Sequence, residues 1–255
     1  GGDRDALDHE IGDLLFSVSG NATLTSLNSL AVQANDVVLF RPAAADAYGS
    51  GTFTLLIDGL GPGGTGSGGG NDAVGLALVE QDTVLGDTLL TAGTLLFSAH
   101  SGGGTSVHRF VASGSSGGTL IGSVDPLIVG SEVGISERIS GLEIVSADTP
   151  LGGRTLAAGS LLLSLEDDDT LGSNTLAATA HDVVILRPTA TSLTGSASAT
   201  AQMLLEGASL GMSGSVIDGL ALNLDAAPQI TSDGGGATAA IGANEPRITS
   251  DSDSV

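Results

Sequence analysis

The chain has 255 residues, of which 40 are Gly and only 2% aromatic, with no Cys and no Trp, and a formal net charge of -22 from 29 acidic against 7 basic side chains. Every basic residue is Arg. The missing Cys removes disulfide scaffolds and thiolate zinc sites, and the missing Lys removes Schiff-base chemistry and Walker-type phosphate loops. The charge opposes nucleic-acid binding, and no apolar run reaches the roughly 18 residues of a membrane span.

Gly12–Ser17 reads G-D-L-L-F-S and predicts a strand, followed by a second in N-D-V-V-L-F-R-P at Asn35–Pro42 and a third in L-L-I-D-G at Leu55–Gly59. Within Asp36–Arg41 a two-residue period leaves both faces largely apolar, so this strand is expected to be covered on both sides. Pro42 and Pro188 are expected to end their strands, because proline cannot donate to a ladder. Next come the glycine-rich stretch Gly61–Gly70 and an apolar segment, A-V-G-L-A-L-V, at Ala73–Val79.

The strongest signal is internal repetition. Residues 82–98 and 148–164 align at an offset of 66 with identities at Asp82, Thr83, Leu85, Gly86, Leu90, Ala92, Gly93, Leu95, Leu96 and Ser98. G-T-L-L-F-S at Gly93–Ser98 repeats Gly12–Ser17, H-D-V-V-I-L-R-P at His181–Pro188 repeats Asn35–Pro42, and M-L-L-E-G at Met203–Gly207 echoes Leu55–Gly59. The G-L-x-L segment returns as I-S-G-L-E-I-V at Ile139–Val145 and I-D-G-L-A-L-N at Ile217–Asn223. No stretch carries a helical apolar stripe. The runs are short, rich in Val, Ile and Leu, and bounded by Gly, Ser, Asp and Pro.

An all-β fold follows, with about three four-stranded repeats in units near 1–61, 71–130 and 136–212. The first choice is a β-propeller-like arrangement; a β-sandwich array or an irregular β-solenoid are the alternatives. Loops, notably Gly61–Gly70 and Ser113–Ser136, are expected to absorb the long spacing between units. The segment 215–223 either closes onto the first sheet or opens a further unit. Residues 1–224 then form a repeat domain, and 225–255 a linker into another module. The start at Gly1 without Met favours a chain cut from a longer array.

Ala227–Ile241, A-P-Q-I-T-S-D-G-G-G-A-T-A-A-I, resembles the opening of the cadherin-like repeats of very large secreted or surface proteins of bacteria. The upstream L-L-F-S, D-V-V-L-F-R-P and L-L-I-D-G markers are similar to repeat modules beside such domains. The resemblance implies a secreted or cell-surface setting, an adhesive or structural role, and no reaction.

Calcium is the candidate cofactor. Glu166, Asp167, Asp168 and Asp169 form the densest acidic run and could supply oxygens to a hard cation, although a solvated turn also explains them. Ser67–Gly75 misses the calcium-binding nonapeptide by one position, with Asp72 in place, and a plain glycine-rich loop is the competing reading. Asp251 and Asp253, with Asp233 and Glu245, could join an interdomain calcium site or form a polar tail. The pairs Asp36 with Arg41 and Asp182 with Arg187 sit on opposite strand faces and are expected to cap turns or bond neighbouring sheets. His100 and His108 flank a Gly/Ser turn and are expected at the surface. No nucleophile elbow or H-E-x-x-H motif occurs, so no catalytic residue is assigned. The function expected is a non-catalytic structural or adhesive segment of an extracellular bacterial protein. The alternatives are a glycan- or polymer-binding module, in which Tyr48, Phe53 and Phe110 would stack on sugars, and a carbohydrate hydrolase.

Overall fold

The computed structural model describes residues 13–18, 20–44, 48–61, 73–101, 104–212, 216–217, 219–222, 230–233 and 236–239. These are built from β-strands and two single-turn 3-10 segments, Gly130–Glu132 and Gly207–Leu210. No helix among them is long and apolar enough to cross a membrane.

The first sheet contains β1 (Leu14–Ser17), then, after the small hairpin of β2 (Ala22–Thr25) and β3 (Ser29–Val32), β4 (Val37–Pro42) and β5 (Gly51–Ile57). Its order is β1-β4-β5. The second opens with β6 (Ala73–Leu78) and the hairpin of β7 (Thr83–Leu85) and β8 (Thr88–Leu90). It continues with β9 (Leu95–Ser101), β10 (Gly104–Ser116) and β11 (Thr119–Val129). The third opens with β12 (Ile139–Ile144) and the hairpin of β13 (Thr149–Leu151) and β14 (Arg154–Leu156). β15 (Leu161–Leu165) follows, then the hairpin of β16 (Asp169–Leu171) and β17 (Leu176–Ala178), then β18 (Val183–Ala190) and β19 (Ser198–Leu205). Main-sheet strands pair antiparallel in chain order, β6-β9-β10-β11 and β12-β15-β18-β19, and among the described residues no sheet is closed.

The repeated L-L-x-S strands explain the stacking. In β9, Leu95 and Phe97 enter the core shared with Val37 and Ile57 of the first sheet, while Leu96 turns the other way into the core shared with Leu142, Leu161 and Leu163 of the third. In β15, Leu161 and Leu163 face the second sheet, and Leu162 faces a third core of Val145, Leu156, Val183 and Ile185. A strand apolar on both faces must be covered on both, so three sheets of this kind can only layer. Each fully buried Leu adds about 1.5–3 kcal/mol relative to exposure. β4 obeys the same rule, with Val37, Val38, Leu39 and Phe40 all buried.

Several expectations are corrected. Ser113–Ser136 is not mainly loop, because most of it lies in the long β10–β11 hairpin. Gly117 and Gly118 turn that hairpin with φ of 63° and 94°, the double positive φ of a two-residue turn matched to strand twist. Pro188 does not end its strand: β18 runs on to Ala190 across a register shift at Pro188/Ala190, a place where a missing donor is tolerated. Apart from these corrections, β20 (Ile230–Asp233) and β21 (Gly236–Ala239) form an antiparallel pair within 225–255, the stretch expected to be a linker or the start of a cadherin-like module. The Gly61–Gly70 loop lies almost wholly outside the described residues.

Candidate functional site

The L-L-x-S motif ends on a serine, and that serine does the same thing three times. Ser17 Oγ donates to the Ala73 carbonyl at 3.0 Å, Ser98 Oγ to the Ile139 carbonyl at 3.0 Å, and Ser164 Oγ to the Ile217 carbonyl at 2.7 Å. Ala73, Ile139 and Ile217 are equivalent positions, each the first residue of an A/I-x-G-L segment. Every bond therefore runs from one unit to the opening segment of the next. Ser98 Oγ also accepts from Gly75 N of its own sheet at 2.8 Å, so one hydroxyl ties two units together. At the last joint Ser140 Oγ adds a second donor to the Ile217 carbonyl at 2.7 Å.

The glycine two residues on sets how close the units come. A Cβ on Gly75 would lie 2.7 Å from Leu142 Cβ and 3.0 Å from Leu142 N. One on Gly141 would lie 2.9 Å from Leu220 Cγ and 3.2 Å from Leu220 N. Leu142 and Leu220 are again equivalent, so each opening segment nests its Leu over the glycine of the segment before. At Gly219, the third such glycine, nothing lies within 4 Å. Ile217, Leu220 and Leu222 pack on the core of the third sheet, so this segment sits on the third unit.

The recurring acids serve the backbone. Asp36 accepts from Gln33 N at 2.7 Å and Gly59 N at 2.9 Å; Asp182 accepts from Thr179 N at 2.8 Å and Gly207 N at 2.9 Å. Asp82 and Asp148 accept from Ala92 N and Ala158 N, both at 2.9 Å. Other acids clamp one unit to the next. Asp87, in the β7–β8 turn, accepts from Thr191 N at 2.9 Å and also from the Thr194 hydroxyl. Glu132 accepts from Ala197 N at 2.7 Å and Ser192 Oγ at 2.8 Å. The Thr194 hydroxyl foremost, with Thr191, holds the Asp87 carboxyl below its ordinary value, and Ala197 N foremost does so for Glu132.

The candidate calcium run is divided among different tasks. Asp169 accepts from Ser136 N at 2.8 Å, Ser136 Oγ at 3.0 Å and Glu137 N at 3.0 Å, fixing the entry to the third sheet. Glu166 pairs with Arg138 at 3.4 Å, while Asp167 and Asp168 are exposed. Among the described residues no three His, Cys, Asp or Glu side chains gather as a cation-holding group. Asp72, Asp251, Asp253 and Glu245 lie outside the described residues, and Asp233 is described through its backbone pairing alone. Arg41 bonds Asp13 at 2.8 Å, across to the residue before β1, and Arg187 is exposed on β18.

His108 is not a surface imidazole. It is 7% exposed and stacks on Phe97 with ring centroids 5.2 Å apart. A register shift at Val107/His108 turns two consecutive side chains inward, and burial lowers the imidazole's pKa. Of the aromatics proposed for sugar stacking, Phe110 is buried in the core and Phe53 packs on Phe40 at 4.9 Å; Tyr48 is exposed.

Glu143 is a strongly perturbed acid. It occupies the place that Ala77 and Ala221 hold in the neighbouring opening segments. Burial pushes its carboxyl up to about 8, against hydrogen bonds from Ile144 N and Leu222 N and with help from the Glu80 charge. A raised folded value means stability that is complete below about 4.5 and is lost as pH rises through about 8. The melting temperature is therefore expected to fall between pH 5 and pH 8.5, roughly the interval bounded by those two pKa values, and Glu143→Gln is expected to flatten that limb. Thermal melts across the pH series check it; an unchanged slope in the variant would assign the loss elsewhere.

The chain matches no protein-family model, no curated protein and no solved structure. The serine–glycine joint is also what the sequence reading missed. Ser17, Ser98 and Ser164 stand at the same place in every L-L-x-S marker, but their identity was visible only as part of a repeat.

Proposed function

We propose that this chain is a non-catalytic structural or adhesive segment of a large extracellular bacterial protein, made as a linear stack of three β-sheet units, the first with three main strands and the others with four among the described residues. The observation that carries the reading is the serine bond from each unit to the opening segment of the next, made at Ala73, Ile139 and Ile217. A hydroxyl committed to a neighbour's backbone is a joint, and Asp87 and Glu132 are committed across units in the same way. The position of Ile217 on the third unit favours an open stack over a closed propeller. Surface charge keeps such a stack soluble and resists its collapse onto itself.

In such a stack each unit contacts only its neighbours, so it is expected to yield one unit at a time under load. Pulling the whole chain from its ends is expected to give successive ruptures. A stretch such as Ile139–Leu205 releases roughly 24 nm at ~3.6 Å per residue. Repeating the pull in calcium and in matched sodium chloride separates an ion bound at 166–169, which strengthens the third unit alone, from screening, which acts on all units. One rupture releasing the entire chain would overturn the stacked reading.

A further inference from the structure

The last strand of each main sheet, β5, β11 and β19, is paired on one side only among the described residues. Such an edge offers a row of backbone donors and acceptors to any other strand. Two of these edges carry the same fitting. Asn28, in the turn of the β2–β3 hairpin, reaches across to β5: its Oδ1 accepts from Phe53 N at 2.8 Å and its Nδ2 donates to the Phe53 carbonyl at 2.7 Å. Asn174, in the turn of the β16–β17 hairpin, does the same to Ala201 on β19, with both bonds at 2.8 Å. Phe53 and Ala201 are equivalent, lying opposite Phe40 and Leu186. The residue before each asparagine bonds the same edge two positions back, Leu27 N to the Gly51 carbonyl at 3.0 Å and Ser173 N to the Ala199 carbonyl at 2.9 Å. Two positions on from Ala201, Arg154 Nη1 donates to the Met203 carbonyl at 3.4 Å. In the second unit β9 passes to β10 with no such hairpin, and there the next unit supplies the cover. Ser192 N donates to the Leu127 carbonyl and Ser192 Oγ accepts from Val129 N, both at 2.9 Å. β11 also carries Pro126, which has no N–H to offer.

We propose that Asn28 and Asn174 are edge guards: each pins a hairpin turn along the last strand of its sheet and so denies that edge to a second copy of the chain. An asparagine side chain presents one carbonyl and one amide, the same groups that a residue of an added strand would present, but it cannot be extended into a ladder. The space is taken as well as the bonds. Strands add at a spacing of about 4.8 Å, and the Asn174 turn already sits closer than that. A Cβ on Gly172, in this turn, would lie 2.7 Å from Ala201 N. A second copy is the partner excluded, because β19 set antiparallel against another β19 about a twofold axis needs no further complementary surface. Strand addition draws its affinity from main-chain hydrogen bonds, so any copy can supply it. The net charge of -22 opposes that encounter, but salt screens it. Bonds that occupy the edge keep working when the charge does not.

The test is sedimentation of the full chain over about three decades of concentration in high salt, with thermal melts of the same samples. Asn174→Ala removes both side-chain bonds to Ala201, and Gly172→Val drives the turn off the edge by bulk, so the two bare β19 by unlike routes. Each is expected to self-associate at a concentration about tenfold or more below that of the parent chain, and Asn28→Ala is expected to do so through β5. Asn174→Ala is expected to melt only about 2–4 °C lower. Thr200 is exposed on β19, opposite the exposed Arg187. Adding Thr200→Lys to Asn174→Ala is expected to return the sedimentation to that of the parent without returning the melting temperature, because a charge on an edge strand blocks pairing but does not replace the lost bonds. Variants that melt lower yet sediment as the parent does, that lose cooperative melting, or that associate equally with and without Thr200→Lys would each overturn the proposal and leave the asparagines as hairpin anchors alone.

Discussion

Asp182→Ala is expected to cost about 3 kcal/mol, because it strands a buried and a half-buried backbone donor at once. The carboxylate is 4% exposed; one oxygen accepts from Thr179 N and Thr179 Oγ1, both at 2.8 Å, and the other from Gly207 N at 2.9 Å. These bonds tie the turn entering β18 to the turn leaving β19, so their loss loosens both ends of one hairpin. Asp182→Asn keeps one acceptor oxygen and is expected to lose less. Asp167→Ala, at an exposed position, is expected to stay within about 0.5 kcal/mol. The pH dependence has a definite sign. Burial pushes the Asp182 carboxyl up, but the hydrogen bonds from Thr179 and Gly207, with the His181 charge, outweigh it and hold the value below 3.8. Its stabilisation is therefore present above about 3.8 and is lost as pH falls through the depressed value, and the acid limb of the stability curve should be shallower in Asp182→Ala. Urea unfolding across that range measures both effects. A variant as stable as the parent chain would mean that the Thr179 and Gly207 donors find water.

Asp182 also marks where sequence reasoning reaches and where it stops. Its recurrence with Asp36 identified a structural acid, and the two-faced apolar pattern of Val37–Phe40 identified a strand covered on both sides. Both inferences use only neighbours along the chain. The small hairpins β7–β8 and β13–β14 lie inside the best-aligned repeat, but three-residue strands are too short to show a period. His108 escaped because a bulge, and not its own alternation, turns it inward. The partners of Asp87 and Glu132 lie in the Thr191–Ala197 loop of the following unit, beyond the reach of any local pattern. The joint itself needed two facts together: a serine that repeats, and a carbonyl 41 to 56 residues further on that repeats with it.

Gly75→Val should be among the most damaging single changes in the chain, at about 3 kcal/mol, the upper part of the range for overpacking a well-filled core. The nearest obstacles to a new Cβ are Leu142 Cβ at 2.7 Å and Leu142 N at 3.0 Å, and neither is the free end of a flexible side chain. Relief requires β6 and β12 to separate, which also stretches the Ser98 bond to the Ile139 carbonyl and opens the core between the second and third sheets. Gly141→Val meets first the buried Ser164 Oγ at 2.5 Å, which can turn aside only by giving up its bond to the Ile217 carbonyl, and then Leu220 at 2.9 Å, on a segment seated on one face only that can lift away. Its expected cost is smaller, about 2 kcal/mol including the lost Ser164 bond, read largely as faster amide exchange in the opening segment at Ile217 and Gly219–Leu222. Gly219→Val meets nothing within 4 Å, and it should cost only the few tenths of a kcal/mol of a surface change. The three positions share one sequence motif and differ only in what lies above them. A graded loss in the order Gly75, Gly141, Gly219 attributes the cost to the stacking of units, whereas equal losses at all three would attribute it to the strand's own preference for glycine.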